Sequence, residues 1–126
     1  MTLTLIVLLV LALYVFQLFL QETSGSRMNV GTIVGTRDEP LKLSVVASRL
    51  DRAKNNMLEA LPLFLGISML VFAKGGDMSL ATNAALGFLI ARVLYIPAYV
   101  SGLPWLRSLI WVAGMGCMFL MALTVI

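Results

Sequence analysis

The uncharged stretch Met1–Gln21, MTLTLIVLLVLALYVFQLFLQ, decides the fold class of this protein. A helix of ~20 apolar residues spans the ~30 Å hydrocarbon core of a bilayer. A signal peptide is the alternative, but it would have a basic start, a shorter apolar core and a small-residue cleavage site. Here the start is MTLT and the apolar run is followed by QETSGS, so we expect a retained membrane helix.

The composition extends this expectation to the whole chain. Of its 126 residues, 60% are hydrophobic and only 12% are charged. At ~20 apolar residues per crossing, this length has room for about four membrane helices and none for a separate soluble enzyme domain. We therefore predict one all-α integral membrane domain over residues 1–126, a four-transmembrane-helix bundle with helices at about 2–21, 43–73, 79–101 and 104–126.

The charged residues limit the possible functions. The chain has nine Lys or Arg, six Asp or Glu, no His and a single cysteine, Cys117. The missing histidine removes the commonest metal ligand, so we expect no metal site. A net charge of +3 without a basic run gives no reason to expect nucleic-acid binding. Cys117 lies in an apolar run, where a lone cysteine is usually a small buried hydrophobic residue.

The distribution of Lys and Arg predicts the orientation in the membrane. Most of them fall on the side of the first and third connections, and Lys74 falls on the opposite side. The positive-inside rule therefore places both termini outside or in the lumen, and the polar loops in the cytoplasm. In a bacterium the host membrane would be the inner membrane.

Two ionisable residues, Glu59 and Arg92, fall inside predicted membrane helices. Each costs ~2.5 to 3.5 kcal/mol near the bilayer centre, so such residues are functional candidates. Counted from the turn near Lys74, both lie roughly 20 Å from the outer surface at ~1.5 Å per residue. We predict that Glu59 and Arg92 pair, either directly or through a ligand.

Further polar side chains share helix faces with these two charges. At about 100° per residue, the polar side chains of the second helix fall within an arc of roughly 80°, and those of the third within an arc of roughly 60°. With the start of the fourth helix they would wall a cleft for a small polar anion, because Arg binds carboxylates, Asn and Tyr hold amides, and Glu accepts an ammonium. Interfacial anchoring by the arginines and an aromatic belt are the alternatives. The side chains are Arg49, Arg52, Asn56 and Glu59, then Arg92, Tyr95 and Tyr99, then Arg107 and Ser108.

Two segments carry closely spaced polar residues, RAKNNMLEALPLF at Arg52–Phe64 and ARVLYIPAYVSGLPWLRSLIW at Ala91–Trp111. They resemble the two signatures of the MAPEG family, the membrane-associated proteins of eicosanoid and glutathione metabolism. The first has Arg, Asn four residues on, Glu three further, and then Pro-Leu-Phe. The second has Arg, Tyr at three and at seven, and an Arg-Ser pair that opens the last helix. Four helices at this length extend the resemblance over nearly the whole chain.

The resemblance implies a homotrimer that binds glutathione as a co-substrate between neighbouring protomers near the cytoplasmic face. It implies a glutathione transferase or peroxidase whose second substrate, a lipophilic electrophile or lipid hydroperoxide, arrives from the surrounding membrane lipids. Some family members are not enzymes, so a non-catalytic protein that binds a lipid or thiol ligand is the alternative.

The resemblance also suggests a role for each matching position. Arg107 would stabilise the thiolate with help from Ser108, and Arg92 would be mainly structural. Trp111 stands where the prostaglandin branch has a tyrosine, and the turn before Arg107 is one residue shorter than in that branch. The family's arginine after the first helix corresponds to either Arg27 or Arg37. The residues expected to bind glutathione are Arg49, Arg52, Asn56, Glu59, Tyr95 and Tyr99.

Overall fold

The structure, a computed structural model, describes residues 2–26 and 45–126. These residues form four long α-helices, and each helix is long and apolar enough to cross a membrane. The prediction of a four-helix membrane bundle is confirmed, and the chain is an integral, multi-pass membrane protein. The first helix continues past the predicted end at residue 21, and the last ends before residue 126. The helices are α1 Leu3–Ser26, α2 Val45–Lys74, α3 Met78–Ser101 and α4 Pro104–Leu123.

Helix α1 lies at the edge of the bundle and packs against α2 and α3. Its buried side chains Ile6, Val10 and Gln17 recur at helical spacing and therefore share one face. Leu8 and Phe16 on the remaining surface are exposed. A helix that is uncharged from Leu3 to Gln21, with one packed face and one open face, suits a position between the bundle and lipid.

Helix α3 begins at a tight turn that contacts the far end of α4. Gly75 takes the left-handed conformation with φ 62°, and Asp77 caps α3 by accepting a hydrogen bond from the Leu80 N–H at 3.1 Å. A Cβ atom at Gly76 would overlap the backbone carbonyl oxygen of Thr124. The turn therefore needs glycine at Gly76 to let the end of α4 approach.

Helices α3 and α4 form the most extensive helix contact of the bundle, through small residues. A Cβ at Gly87 would lie 2.8 Å from Cys117 Sγ, and the Cβ position of Gly114 lies 3.5 Å from the Cβ of Ala91. Small residues thus let the two helices approach closely. On α4 the small residue buried in this contact is Gly114, whereas the neighbouring Ala113 is exposed. Close packing fixes the start of α4 against the end of α3.

The core holds α2 against α3 through stacked aromatic rings. Phe64 and Phe88 stack with centroids 4.6 Å apart and an interplanar angle of 12°. Both side chains are fully buried together with Met57 and Met121. Pro62 lies inside α2 without ending the helix. On α2 the stacked Phe64 lies five residues beyond Glu59, on the side away from Arg52 and Asn56.

The helix contacts leave one seam of the bundle incompletely filled. Helices α2 and α3 are central, α1 packs on one side of them, and α4 packs on the other. The contact between α2 and α4 is sparse compared with the contact between α3 and α4. A groove therefore remains between α2 and α4.

Candidate functional site

The groove between α2 and α4 collects most of the side chains that the sequence singled out. Its polar part has a volume of about 390 Å³. The side chains that line it come from α2, from α3 and from the start of α4. They are Arg52, Asn55, Asn56, Glu59, Tyr95, Tyr99 and Arg107. Ser108 lines the adjoining cavity of about 370 Å³ with Trp111 and Val112.

The groove changes from polar to apolar along its length. Beyond Glu59 lies a third cavity of about 230 Å³, to which Leu63 and Met115 contribute. Because Asn56 lines all three cavities, they adjoin one another. Arg52 and Leu63 are ~16 Å apart along α2 at ~1.5 Å per residue. One surface thus carries cationic side chains at one end and hydrocarbon at the other.

The ring of Tyr99 contacts the two arginines of the polar end, the exposed Arg52 and the half-buried Arg107. The guanidinium carbon of Arg107 lies 4.7 Å from the ring centroid, and that of Arg52 lies 5.9 Å from it. Tyr95 meets Tyr99 edge to face at a centroid distance of 5.6 Å. Within the described residues, neither guanidinium group donates a hydrogen bond or forms an ion pair. Because a cation–π contact uses no N–H group, their donors stay free for an anion.

Arg92 lies behind the groove, where only 2% of its surface is exposed. Its Nη1 donates to Asn56 Oδ1 at 2.9 Å, and its guanidinium carbon lies 4.4 Å from the Tyr95 ring centroid. Among the described residues it makes no ion pair with Glu59, so the predicted direct pairing is wrong. Asn56 lies one turn before Glu59 and takes the place expected for the carboxylate. A pairing through a ligand stays a prediction.

The structure does not bring Arg49 into the groove. Its Nη1 donates to the carbonyl oxygen of Val100 at 2.9 Å, and a Cβ at Gly102 would lie 3.0 Å from its guanidinium carbon. Gly102 caps α3 with φ 78° and donates its N–H to the carbonyl of Tyr99 at 3.2 Å. The last carbonyl groups of a helix have no partner within that helix. Arg49, two turns before Asn56 on α2, therefore finds hydrogen-bond acceptors at the end of α3. Arg49 therefore braces the turn that leads to Arg107.

Sequence reasoning missed part of the lining. Trp111 was not among the residues predicted to bind a ligand, but it lines two of the three cavities. Its position four residues after Arg107, hence on the same face of α4, was the available signal. Asn55 also lines the polar cavity and donates to Asp51 at 3.5 Å, and no sequence signal separated it from other polar residues.

Two further expectations concern residues beyond the groove. Arg27 and Arg37 lie outside the described residues. In the described part of the chain, no three potential metal-ligating side chains of His, Cys, Asp or Glu come together. The polar groups that line the groove are guanidinium, amide, phenol, hydroxyl and one carboxylate.

Comparison with known proteins supports the resemblance seen in the two motifs. The model of the MAPEG family matches residues 1–126, the whole chain. Among curated proteins the comparison finds no significant match. The family match includes both segments whose residues meet in the groove. The expected resemblance is confirmed, and the chain belongs to the MAPEG family.

Proposed function

We propose that this protein is a membrane-embedded, glutathione-dependent transferase or peroxidase. It binds glutathione in the polar part of the groove and activates the thiolate for attack on a lipophilic electrophile or a lipid hydroperoxide. Membership of the family supports a glutathione-related transferase or peroxidase activity. The observation that carries the proposal is the pair Arg52 and Arg107, held on Tyr99 with their N–H donors free.

The charges of the groove suit glutathione, which carries carboxylates, an ammonium group and a thiol. Arg52 and Arg107 supply the fork-shaped donors that carboxylates and thiolates favour. Glu59, on the same wall as Arg52, offers the carboxylate that an ammonium needs. A volume of about 390 Å³ lies within the usual range of ~300 to 1,000 Å³ for ligand pockets.

We further propose that the protein acts as a homotrimer. Glu59 is exposed in the single chain although it belongs to a membrane-spanning helix. A carboxylate open to lipid near the bilayer centre would cost ~2.5 to 3.5 kcal/mol. A neighbouring copy that covers the groove removes this contact with lipid and encloses the ligand from its open side.

In the chemical step, Arg107 stabilises the thiolate and Ser108 donates a hydrogen bond to it. With an electrophile, the sulfur forms a bond to carbon while the leaving group departs with its electron pair, and the thiol proton passes to solvent. With a hydroperoxide, the thiolate attacks oxygen, the O–O bond breaks, and the lipid alkoxide takes a proton to become the alcohol. A second glutathione then reduces the sulfenic acid, which gives glutathione disulfide and water.

The apolar end of the groove is the proposed entry for the second substrate. Leu63 is 58% exposed and Trp111 is 39% exposed in the single chain. These side chains give a lipid-soluble molecule a path from the bilayer toward the sulfur. The polar end would then lie near the cytoplasmic face, with both termini outside or in the lumen, and in a bacterium the membrane would be the inner one.

A thermal-shift titration of the purified protein with glutathione tests binding, and conjugation of chlorodinitrobenzene then tests turnover. We expect a saturable rise of the unfolding temperature at millimolar glutathione, followed by conjugate formation. The same tripeptide with alanine in place of cysteine should bind without being consumed. No shift at millimolar glutathione would refute the proposal, and a shift without turnover on electrophile or hydroperoxide would indicate the non-catalytic thiol-binding alternative.

A further inference from the structure

Asn56 has one acceptor end and one donor end, and the structure determines which end faces the groove. Its Oδ1 accepts a hydrogen bond from Arg92 Nη1 at 2.9 Å. An arginine side chain has five N–H donors and no acceptor. The amide nitrogen of Asn56, which also only donates, could not take this place.

The buried position of Arg92 makes this orientation costly to reverse. Its Nε and Nη2 are buried and have no hydrogen-bond partner within the described residues. Turning the Asn56 amide over would set donor against donor and leave a buried guanidinium without this acceptor. An unsatisfied buried charge is among the costliest features of a protein interior. The ring of Tyr95, 4.4 Å from the guanidinium carbon, also holds Arg92 in place.

We infer that Arg92 is a positioning residue that fixes Asn56 as a hydrogen-bond donor toward the groove. With Oδ1 held, the Nδ2 group is the end of the amide left for the cavities that Asn56 lines. The ligand group that meets this Nδ2 group is therefore an acceptor, a carboxylate or carbonyl oxygen. This inference rests on the proposed binding of glutathione.

The assigned polarity also gives the groove a direction along α2. Arg52 and Asn56 are donors, and Glu59, three residues further, is an acceptor. A ligand with oxygen acceptors at one end and an ammonium at the other matches this order in one direction only. Arg92 thus selects the direction of a bound ligand without lining any of the three cavities.

The variant Asn56→Asp separates the two ends of the side chain. One carboxylate oxygen keeps the bond from Arg92 and turns it into an ion pair, and the other replaces the donor with an acceptor. We expect the unfolding temperature without ligand to be no lower than that of the wild type. Glutathione affinity should fall by at least ~10-fold, because an acceptor would then face an acceptor. Asn56→Ala should lower both quantities.

The control is Asn55→Asp, which adds the same charge to the same cavity. Asn55 has no hydrogen bond to Arg92, so its change adds charge to the cavity and leaves the Arg92–Asn56 bond in place. It also replaces the 3.5 Å hydrogen bond from Asn55 to Asp51 with two facing carboxylates, so its unfolding temperature is measured as well. We expect its loss of affinity to be several-fold smaller. Equal losses in the two variants, or unchanged binding by Asn56→Asp, would overturn the inference. A failure of Asn56→Asp to fold, or destabilisation as large as that of Asn56→Ala, would also overturn it.

A second pair of variants tests the role of Arg92 itself. Arg92→Met removes the buried charge and its unpaired N–H groups, so the fold should persist while Asn56 becomes free to turn. Glutathione affinity should fall in Arg92→Met. Arg92→Lys should bind glutathione more tightly than Arg92→Met, because an ammonium group also only donates hydrogen bonds. Wild-type affinity in Arg92→Met would refute positioning by Arg92. If the wild-type protein itself fails to bind glutathione, the proposed function is wrong, and this outcome is distinct from those of the variants.

Discussion

Replacing Arg107 with glutamine should raise the pKa of the thiol of bound glutathione by about two units. A free thiol has a pKa of ~8.5, and a nearby cation favours the thiolate and lowers that pKa. A unit charge ~4 Å from the sulfur contributes ~4 kcal/mol at an effective dielectric constant of ~20. Arg107 is only half-buried, so solvent reduces this to roughly 2.7 kcal/mol, which is ~2 pKa units. Without the guanidinium, the thiol should return to its free pKa of ~8.5.

The effect on turnover at neutral pH is smaller than this shift suggests. At pH ~7 the thiolate fraction would fall from about three-quarters to ~3%, roughly 25-fold. A more basic thiolate is also more nucleophilic, and a Brønsted coefficient of ~0.45 over ~2 units recovers ~8-fold. The net loss is then only ~3-fold. The pH at which the rate reaches its plateau is therefore the informative quantity, and it should move upward by ~2 units.

Two titrations at saturating glutathione measure this shift: the ultraviolet absorbance of the thiolate against pH, and kcat against pH. The control is Lys54→Gln, which removes a charge two residues from Arg52. Lys54 pairs with Asp51 at 3.1 Å and lines none of the three cavities. A midpoint in Arg107→Gln within about half a pKa unit of the wild type would refute the reasoning, and so would an equal shift in Lys54→Gln.

Three further predictions concern stability, each measured by thermal unfolding in detergent. Gly102→Ala should destabilise the protein by more than ~2 kcal/mol, because it combines left-handed backbone strain with a close contact to a guanidinium group. Gly75→Ala adds the same strain in open space and should cost ~1 kcal/mol. Equal losses of stability in the two variants would contradict this. Gly87→Ala should cost ~1 to 3 kcal/mol of stability, because the added Cβ would crowd the sulfur of Cys117. Adding Cys117→Ala to this variant should recover most of the lost stability, and additive losses would argue against this contact. Asp77→Ala should cost ~1 kcal/mol through loss of the α3 cap and should leave glutathione affinity unchanged.

The helices and much of the groove lining were predictable from the sequence. Apolar runs of membrane length allow only helices at those positions, because backbone groups in lipid must bond within their own segment. On such helices the angular position of each residue follows from its number. Arg52, Asn56 and Glu59 were therefore assigned to one face, and Tyr95 and Tyr99 to another. The structure brings these two faces together in one cavity.

Helix geometry alone could not predict which residue pairs with Arg92. Rise per residue gives depth in the membrane, but Asn56 and Glu59 differ by only ~4.5 Å along α2. That difference is smaller than the reach of an arginine side chain, so both were acceptable partners. Arg49 shows the same limit, since its length lets it leave the groove face and bond to Val100. Such choices depend on how neighbouring helices are rotated and on which carbonyl groups lie free.

The separation of the groove into a cationic and a hydrocarbon end has a consequence for divergence and for engineering. Leu63 is ~16 Å from Arg52 along the helix, beyond the ~10 Å within which substitutions usually influence one another. On α4, Met115 is ~12 Å from Arg107. Changes at Leu63 and Met115 should therefore combine additively with changes at Arg52 and Arg107 on the same helices. A library confined to these lipid-side positions could alter the range of acceptors and leave the proposed thiol activation unchanged.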